Sequence, residues 1–383
     1  MYMSTVAVKK ILSAESMRNL GAIGEIDSEN LLYLESLARR VSEDEALLKL
    51  FVDLYQCIYK GGEVSLPEEI EAMKNDSYGF YALLALAGLP EAEKHFNKFG
   101  IPEDIRRGAY VDTGIWIKHF YVNTGRRGIS PRILGWELGL FKGNLYRIGR
   151  LQFGIKPFYH QARALRNIKN RKVQAFASPG MKFNGEGLCD GVDGHFDGAG
   201  AWESEYIVSG NSVTGNPVSS DGFAARQKLT LNLSEWEEVL APGDPVIDVH
   251  IPEGGPMTLE ACADAMDRAL KFFPEYFPDK PFKAFACESW IFDPHFALIL
   301  KPESNIVKFQ KEYYLFPIEC SGEDTAWRIF GENGLVNGLA NAPRNSSMQK
   351  ACAEFMERGG FFRSGGGFYL LEEMPYGRAV YRS

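Results

Sequence analysis

The segment DPVIDVHIPEGGPMTLEACADAMDRALKFF, residues 244–273, carries the clearest chemistry in the chain. Val246, Ile247, Val249 and Ile251 make a short apolar, β-branched run that reads as a strand buried in a sheet. Glu253, Gly254, Gly255 and Pro256 follow as a turn whose glycines let backbone N–H groups approach a ligand closely. Thr258 is the expected N-cap of the next helix, and Leu259, Cys262, Ala265, Met266, Ala269 and Phe273 recur at helical spacing. Free N–H groups and the helix dipole at such a turn favour an anion, phosphate above all. Any strand–turn–helix unit shares this outline, so the pattern by itself is a weak motif. Within the strand, Asp248 and His250 lie two residues apart and share a face. Glu288 and Trp290 do the same in the later run KAFACESWIF, residues 283–292.

Other reactive groups read as structural. Asp190, Asp193, His195 and Asp197 cluster, but lack the acidic spacing and the distal glutamate of a calcium loop, and interleaved glycines make Asp-Gly turns the expected outcome. Cys287 sits beside Glu288 without a Cys–His signature, so burial is its expected fate. The six cysteines are scattered with no CxxC, which points to reduced thiols in a cytoplasmic protein and to no metal site.

The elements that must hold these groups fall into two kinds. Residues 25–120 read as helical: Ser42 and Glu45 suggest a capping box, and Leu47, Leu48, Phe51, Leu54, Tyr55 and Ile58 line one face. Further helices are expected around 67–75, 78–88 and 103–121. From about 130 the character changes: YRIGRLQF (146–153) alternates like one strand, QARALRNIKN (161–170) suits a short helix, and 173–240 holds short strand-like runs between Gly, Asn and Asp. Beyond the opening segment, SNIVKFQKEY (304–313) reads as a helix, and YLFPIE and TAWRIF as strands. A last helix starts near Ser346 with Gln349 at the capping-box position, and FFRSGGGFYLL closes the chain as a strand pair. The longest apolar stretch, near Tyr81–Leu89, is too short to cross a bilayer. The net charge of −8 hides an asymmetry, with fifteen Lys/Arg against two acids between Arg106 and Lys172. That segment reads either as a solvated basic face or as a groove for an anionic ligand; nucleic acid is poorly supported in an acidic chain without a binding module.

GDPVIDVHIPEGGPMT, ACESWIFDP, SNIVKFQ and the preceding LNLSEWEEVL together resemble a bacterial family of two-domain acyltransferases, with a helical N-terminal domain and a GNAT-like C-terminal domain. The resemblance implies an α+β fold: a mainly helical domain over residues 1–128, then a GNAT-like mixed sheet with flanking helices over 129–383. It implies transfer of an acyl group from acetyl-CoA or another acyl-CoA to a small-molecule amine by direct attack, without a covalent enzyme intermediate. The pantetheine arm would follow the strand at Val249 and Ile251. The pyrophosphate would rest on the turn at Gly254, Gly255, Met257 and Thr258, and Asn305 would also touch the cofactor.

The same scheme makes His250 and Glu288 the base candidates, on two strands that splay apart where the thioester lies. Two departures stand out. The turn lacks the Arg/Gln-x-x-Gly-x-Gly/Ala pattern usual in GNAT proteins. Gln310 also falls near the position where many of them place a tyrosine as general acid, with Tyr313 and Tyr314 three and four residues on. Those departures leave open a non-catalytic acyl-CoA or small-metabolite binding protein on the same fold. Trp202, Tyr206 and Trp236 among turns suggest a third reading, a carbohydrate-binding module in 173–240. The turn offers no basic residue between His250 and Asp267, so a counter-charge must come from elsewhere. Arg147 and Arg150 sit three residues apart in the YRIGRLQF strand, hence on opposite faces, so at most one of them points into any given cleft.

Overall fold

The computed structural model describes residues 4–61, 66–158, 162–320, 323–331 and 334–382, and its chain forms two compact units. The first comprises Met1–Ile148 together with Pro252–Gly255, and the second Gly149–Ile251 with Pro256–Ser383.

The first unit contains α1 (Thr5–Ile11), α2 (Ala14–Ile23), α3 (Ser28–Glu43), α4 (Glu45–Lys60), α5 (Ser77–Phe99), α6 (Glu103–Thr124), α7 (Pro131–Phe141) and the strand β1 (Leu145–Ile148). The helical reading of this part holds, with local corrections. The α4 cap is Asp44, whose carboxylate accepts from the N–H groups of Ala46 and Leu47 at 2.9 and 3.0 Å. Ser42 instead lies inside α3 and donates to the Ala38 carbonyl at 2.8 Å. A carboxylate that satisfies two free N–H groups outcompetes a hydroxyl two residues earlier. No α-helix forms over 67–75. There Ser77 accepts from the N–H of Ile70 and donates to the Lys74 carbonyl, a local bonding pattern that competes with helix and leaves one short 3₁₀ turn. The apolar run of α5 is buried on all sides, from Phe80 to Leu89, which identifies it as the unit's central helix. No helix among the described residues is long and apolar enough to cross a membrane.

The second unit contains β2 (Leu151–Pro157), β3 (Ala162–Asn167), β4 (Val173–Ala177), β5 (Lys182–Phe183), β6 (Trp202–Glu203), β7 (Tyr206–Ser209), β8 (Ser212–Gly215), β9 (Pro217–Val218), β10 (Leu229–Asn232), β11 (Trp236–Leu240) and β12 (Pro245–His250). There follow α8 (Leu259–Tyr276), β13 (Ala284–Ser289), α9 (Phe296–Ile299), α10 (Asn305–Glu312), β14 (Tyr314–Pro317), α11 (Glu323–Phe330), α12 (Ser347–Glu357) and β15 (Gly365–Leu370). Its main sheet runs in the order β2-β12-β13-β15-β14. β12 and β13 are parallel, and the other neighbours are antiparallel. The expected α+β class with a mixed, helix-flanked sheet is what the chain adopts.

Two faces of this sheet are used differently. Val246, Ala284, Ala286, Phe368 and Leu370 pack against Ala162, Ala164, Val173 and Ala175 of a second sheet, ordered β11-β3-β4-β9. On the opposite face, Phe153 meets Phe273 of α8 with ring centres 6.4 Å apart, and Tyr313 meets Tyr369 at 6.3 Å. Each fully buried ring of this size contributes roughly 1.5–3 kcal/mol.

Four sequence expectations change here. YRIGRLQF is two strands divided by Gly149 at φ +60°, not one. Arg147 and Arg150 therefore belong to different segments, and alternation does not relate them. The described part of QARALRNIKN is β3 rather than a helix (Gln161 lies outside the described residues). It has a partner on each side, and Arg163 and Arg166 reach Glu238 and Glu237 across the ladder at 2.7 Å. TAWRIF is helical within α11, with Ile329 and Phe330 buried beside Cys352 and Ala353 of α12. FFRSGGGFYLL provides one strand, not two, because β15 is flanked by β13 and β14. The α12 capping box forms as expected: Ser346 accepts from Gln349, and the Gln349 side chain accepts from Ser346 in return.

Candidate functional site

The parallel pairing of β12 with β13 ends early. Val246, Ile247 and Asp248 stand opposite Ala284, Phe285 and Ala286, and no further pair forms. Yet β12 continues against β2 to the His250–Gln152 pair, and β13 continues against β15 to the Ser289–Gly365 pair. The two strands thus separate after Asp248 and Ala286, leaving Val249–His250 and Cys287–Ser289 as the sides of a wedge. Strands that diverge in this way open a gap between their main chains, a shape that suits an extended ligand.

Strand alternation sorts the wedge's side chains. Asp248, His250 and Glu288 fall on the face of Val246, Ala284 and Ala286; Val249 and Cys287 fall on the helix-covered face. His250 and Asp248 do more than share a face, since Nε2 of the ring lies 2.7 Å from Oδ2 of the carboxylate. Lys156 of β2 reaches the other carboxylate oxygen at 2.7 Å, along the diagonal that Gly154, opposite Asp248, leaves without a side chain. Burial works to raise the Asp248 carboxyl, but the bonds and charges of His250 and Lys156 outweigh it and hold it below its ordinary value. A neutral ring that donates Nε2–H to an ionised carboxylate carries its basic lone pair on Nδ1. Glu288 is exposed at the wedge. Trp290 does not continue that face. The strand ends at Ser289, and Trp290 enters a 3₁₀ turn and packs on Phe296 at 5.6 Å.

The turn after β12 takes shape as the sequence suggests. Thr258 caps α8 by accepting from Ala261 N–H at 3.2 Å. Gly254 has φ +145°, a region that side-chain-bearing residues rarely adopt, and nothing lies within 4 Å of where a Cβ on Gly255 would stand. Met257, Thr258 and Ile251 are half-buried, as is Asn305 in the first turn of α10, which Ser304 caps. Arg150 stands near α8, where its charge offsets part of the burial effect that pushes the Cys262 thiol up to about 11. Arg147 ion-pairs with Asp112 and donates to the Glu253 carbonyl at 3.0 Å.

Gln310 and the two tyrosines that follow it are engaged within the protein. Gln310 is buried and donates its amide N–H groups to the carbonyls of Ile291 and Asp293, at 2.6 and 2.8 Å. Tyr313 is fully buried with its hydroxyl 3.9 Å from the Met266 sulfur, and burial raises its pKa well above the ordinary value. Tyr314 donates to the Val218 carbonyl at 2.7 Å. Burial likewise raises the Cys287 thiol, which disfavours the thiolate a nucleophile needs. Asp190 and Asp197 accept from the N–H groups of Asp197 and Gly185, as turn residues do. The aromatic residues of 173–240 are committed to packing: Trp202 donates to Asn184 and meets Phe183 at 4.8 Å, Tyr206 meets Phe176 at 5.7 Å, and Trp236 lies against the Leu165–Phe176–Val213–Leu231 cluster.

The partners of Lys156 and Arg147 are remote in sequence. Lys156 gains its role from the antiparallel register of β2 with β12, which leaves no local mark in the sequence. Arg147 meets its two partners from positions 35 and 106 residues distant.

Comparison with known families matches residues 19–143 to the N-acyltransferase N-terminal domain and residues 145–369 to the GNAT-like C-terminal domain. The chain belongs to this two-domain acyltransferase family. A comparison with curated proteins returns no match. Among solved structures, the family member resembles an acyltransferase in complex with decanoyl-CoA and teicoplanin, and an acyltransferase variant in complex with octanoyl-CoA. Each has a TM-score of 0.63 at 19% identity, over 93% of this chain and 88% of the other. A further acyltransferase in complex with decanoyl-CoA has a TM-score of 0.62 at 18% identity, over 96% of this chain and 99% of that one. At such identities the likeness is one of fold.

Proposed function

We propose that this acyltransferase moves an acyl group from acyl-CoA to the amine of a small molecule by direct attack. The observation that carries the reading is the wedge between β12 and β13, where pairing stops at Asp248 and Ala286 while both strands run on. In this reading the pantetheine arm lies along Val249 and Ile251. The pyrophosphate lies at the turn of Gly254, Gly255, Met257 and Thr258, and Asn305 borders the cofactor. The amine nitrogen bonds to the thioester carbonyl carbon, the C–S bond breaks, and the ammonium proton leaves to a base. His250 is the first candidate for that base. Asp248 and Lys156 fix the ring, and the Asp248 carboxylate balances the positive charge the ring acquires. Glu288, on the same face, is the second. The departing thiolate takes its proton from water or from the ammonium ion, since no tyrosine stands where Gln310 does.

The acceptor belongs to this reading only as a class. Solved structures of similar fold include an acyltransferase in complex with decanoyl-CoA and teicoplanin and one in complex with CoA and 10C-teicoplanin, which supports a bulky small-molecule amine as the acceptor to test first. The deciding experiment is calorimetric titration with acetyl-CoA, octanoyl-CoA and decanoyl-CoA, followed by turnover with amine acceptors. Binding with turnover that falls in His250→Ala supports the reading. Binding without turnover on any amine favours a non-catalytic acyl-CoA binding protein, which the buried, carbonyl-bonded Gln310 at the acid position supports.

A further inference from the structure

The turn Pro252–Gly255 belongs to the first unit, and Arg147 bonds its backbone there. Arg147, on β1, is nine-tenths buried. It ion-pairs with Asp112 of α6, a fully buried carboxylate that also accepts from the Trp116 indole at 3.1 Å. Its other terminal nitrogen donates to the Glu253 carbonyl at 3.0 Å, and the position of a Cβ on Gly254 lies 3.0 Å from that nitrogen. The Glu253 carboxylate stands 3.6 Å from Nδ1 of His119, on the same helix as Asp112. The guanidinium is thus seated against bare glycine backbone and engaged on both sides.

A trans peptide points its C=O and N–H in opposite directions. The Glu253 carbonyl and the Gly254 N–H belong to one peptide plane, so a donor bound to that carbonyl turns the N–H away from Arg147 and polarises it. At the next residue, Gly255, a Cβ would meet no atom within 4 Å. We propose that Arg147 is the positioning residue of the cofactor turn: it does not touch phosphate, but holds the Glu253 carbonyl so that the Gly254 N–H is presented to the pyrophosphate of CoA. Asp112 serves by fixing Arg147. This rests on the acyl-CoA reading above and assigns a mechanism to its pyrophosphate grip. It also explains how a turn without the usual basic residue can orient its donors.

The test separates positioning from direct phosphate contact by sign. Asp112→Asn removes the counter-charge of Arg147. If Arg147 bound phosphate, CoA affinity would rise; under positioning it falls by about tenfold or more, because the anchor of the carbonyl is lost. Calorimetry with CoA reads this directly, and ligand-observed NMR with pantetheine, which lacks the pyrophosphate, supplies the internal control. Arg147→Ala and Asp112→Asn should each weaken CoA and leave pantetheine unchanged, with the salt dependence of CoA affinity as in the parent protein. Gly254→Ala, which puts a methyl where Arg147 sits, provides a third route should either variant fail to fold. Tighter CoA binding in Asp112→Asn, equal losses for CoA and pantetheine, or a reduced salt dependence in Arg147→Ala would each overturn the assignment. Parent protein that binds pantetheine but not CoA would overturn it too, and binding of neither would overturn the acyl-CoA reading itself.

Discussion

At the scale of single residues, the site depends on the Asp248 carboxylate shared between His250 and Lys156. His250→Ala and Glu288→Gln distinguish the two base candidates: a general base contributes roughly 10²–10⁴-fold, so kcat should fall by that much in one variant while calorimetric acyl-CoA affinity holds. Near-parental kcat in both across pH 6–9 would move the base elsewhere. Asp248 makes a separate, pH-dependent prediction. Its carboxyl is held below the ordinary carboxylate value by His250 and Lys156 against the opposing effect of burial. The unfolded chain therefore takes up the proton at a higher pH than the folded one. The stabilisation is complete above the ordinary value and disappears as pH falls through the lower folded value. Asp248→Asn leaves Lys156 without its counter-charge, and removing one partner of a buried pair costs about 3–5 kcal/mol. Urea titrations should show that deficit at pH 6–7 and show it shrinking below about pH 4. A deficit independent of pH would mean the carboxylate charge is not what matters.

At the scale of elements, the turn and the start of α8 have separable roles. Thr258→Ala removes the cap bond to Ala261 and should cost about 1 kcal/mol, with Thr258→Ser recovering most of it. Gly255 has room for a side chain within the protein itself, so Gly255→Val should fold with near-parental stability. Acyl-CoA should nevertheless bind tens-fold more weakly, because the side chain occupies the side from which the ligand approaches. Unchanged calorimetric affinity in that variant would remove the turn from the cofactor site.

At the scale of the whole molecule, the basic segment is largely neutralised within the folded units. Arg106 pairs with Glu93, Arg107 with Glu25, Arg127 with Glu29, Arg147 with Asp112, Lys156 with Asp248 and Arg163 with Glu238. Arg166 and Arg171 both reach Glu372. The charge asymmetry along the chain is therefore mostly internal pairing, and each exposed pair is worth about 0–1 kcal/mol. Global stability carries a further buried charge effect. Glu137 of α7 is completely buried, accepts from Thr113 at 2.9 Å and lies near Asp112; burial first and the neighbouring charge second raise its carboxyl well above the ordinary value. The unfolded chain releases this proton at lower pH than the folded one, so stability declines as pH rises above the ordinary glutamate value. Glu137→Gln, which keeps the shape and an acceptor for Thr113, should be the more stable protein at pH 8 and lose less stability between pH 5 and 8. Identical pH–stability curves for the two proteins would exclude a protonated Glu137.

The local sequence carried the α8 cap at Thr258, the α12 capping box, the helical first unit and the shared face of Asp248 and His250. Each depends on residues within a few positions of one another, where periodicity and hydrogen-bonding chemistry act without help from the rest of the chain. The alternatives that failed did so where remote partners decide. QARALRNIKN has a helix-compatible composition but lies between β4 and β11; TAWRIF carries aromatic and β-branched residues common in strands but packs as α11 against α12. Family motifs singled out the segment from β12 to α8, but they were silent on where the pairing of β12 and β13 ends, on Lys156 beside Asp248 and on Arg147 beside Glu253. Those features arise from strand register and from contacts up to 106 residues apart in sequence, which only the folded chain brings together.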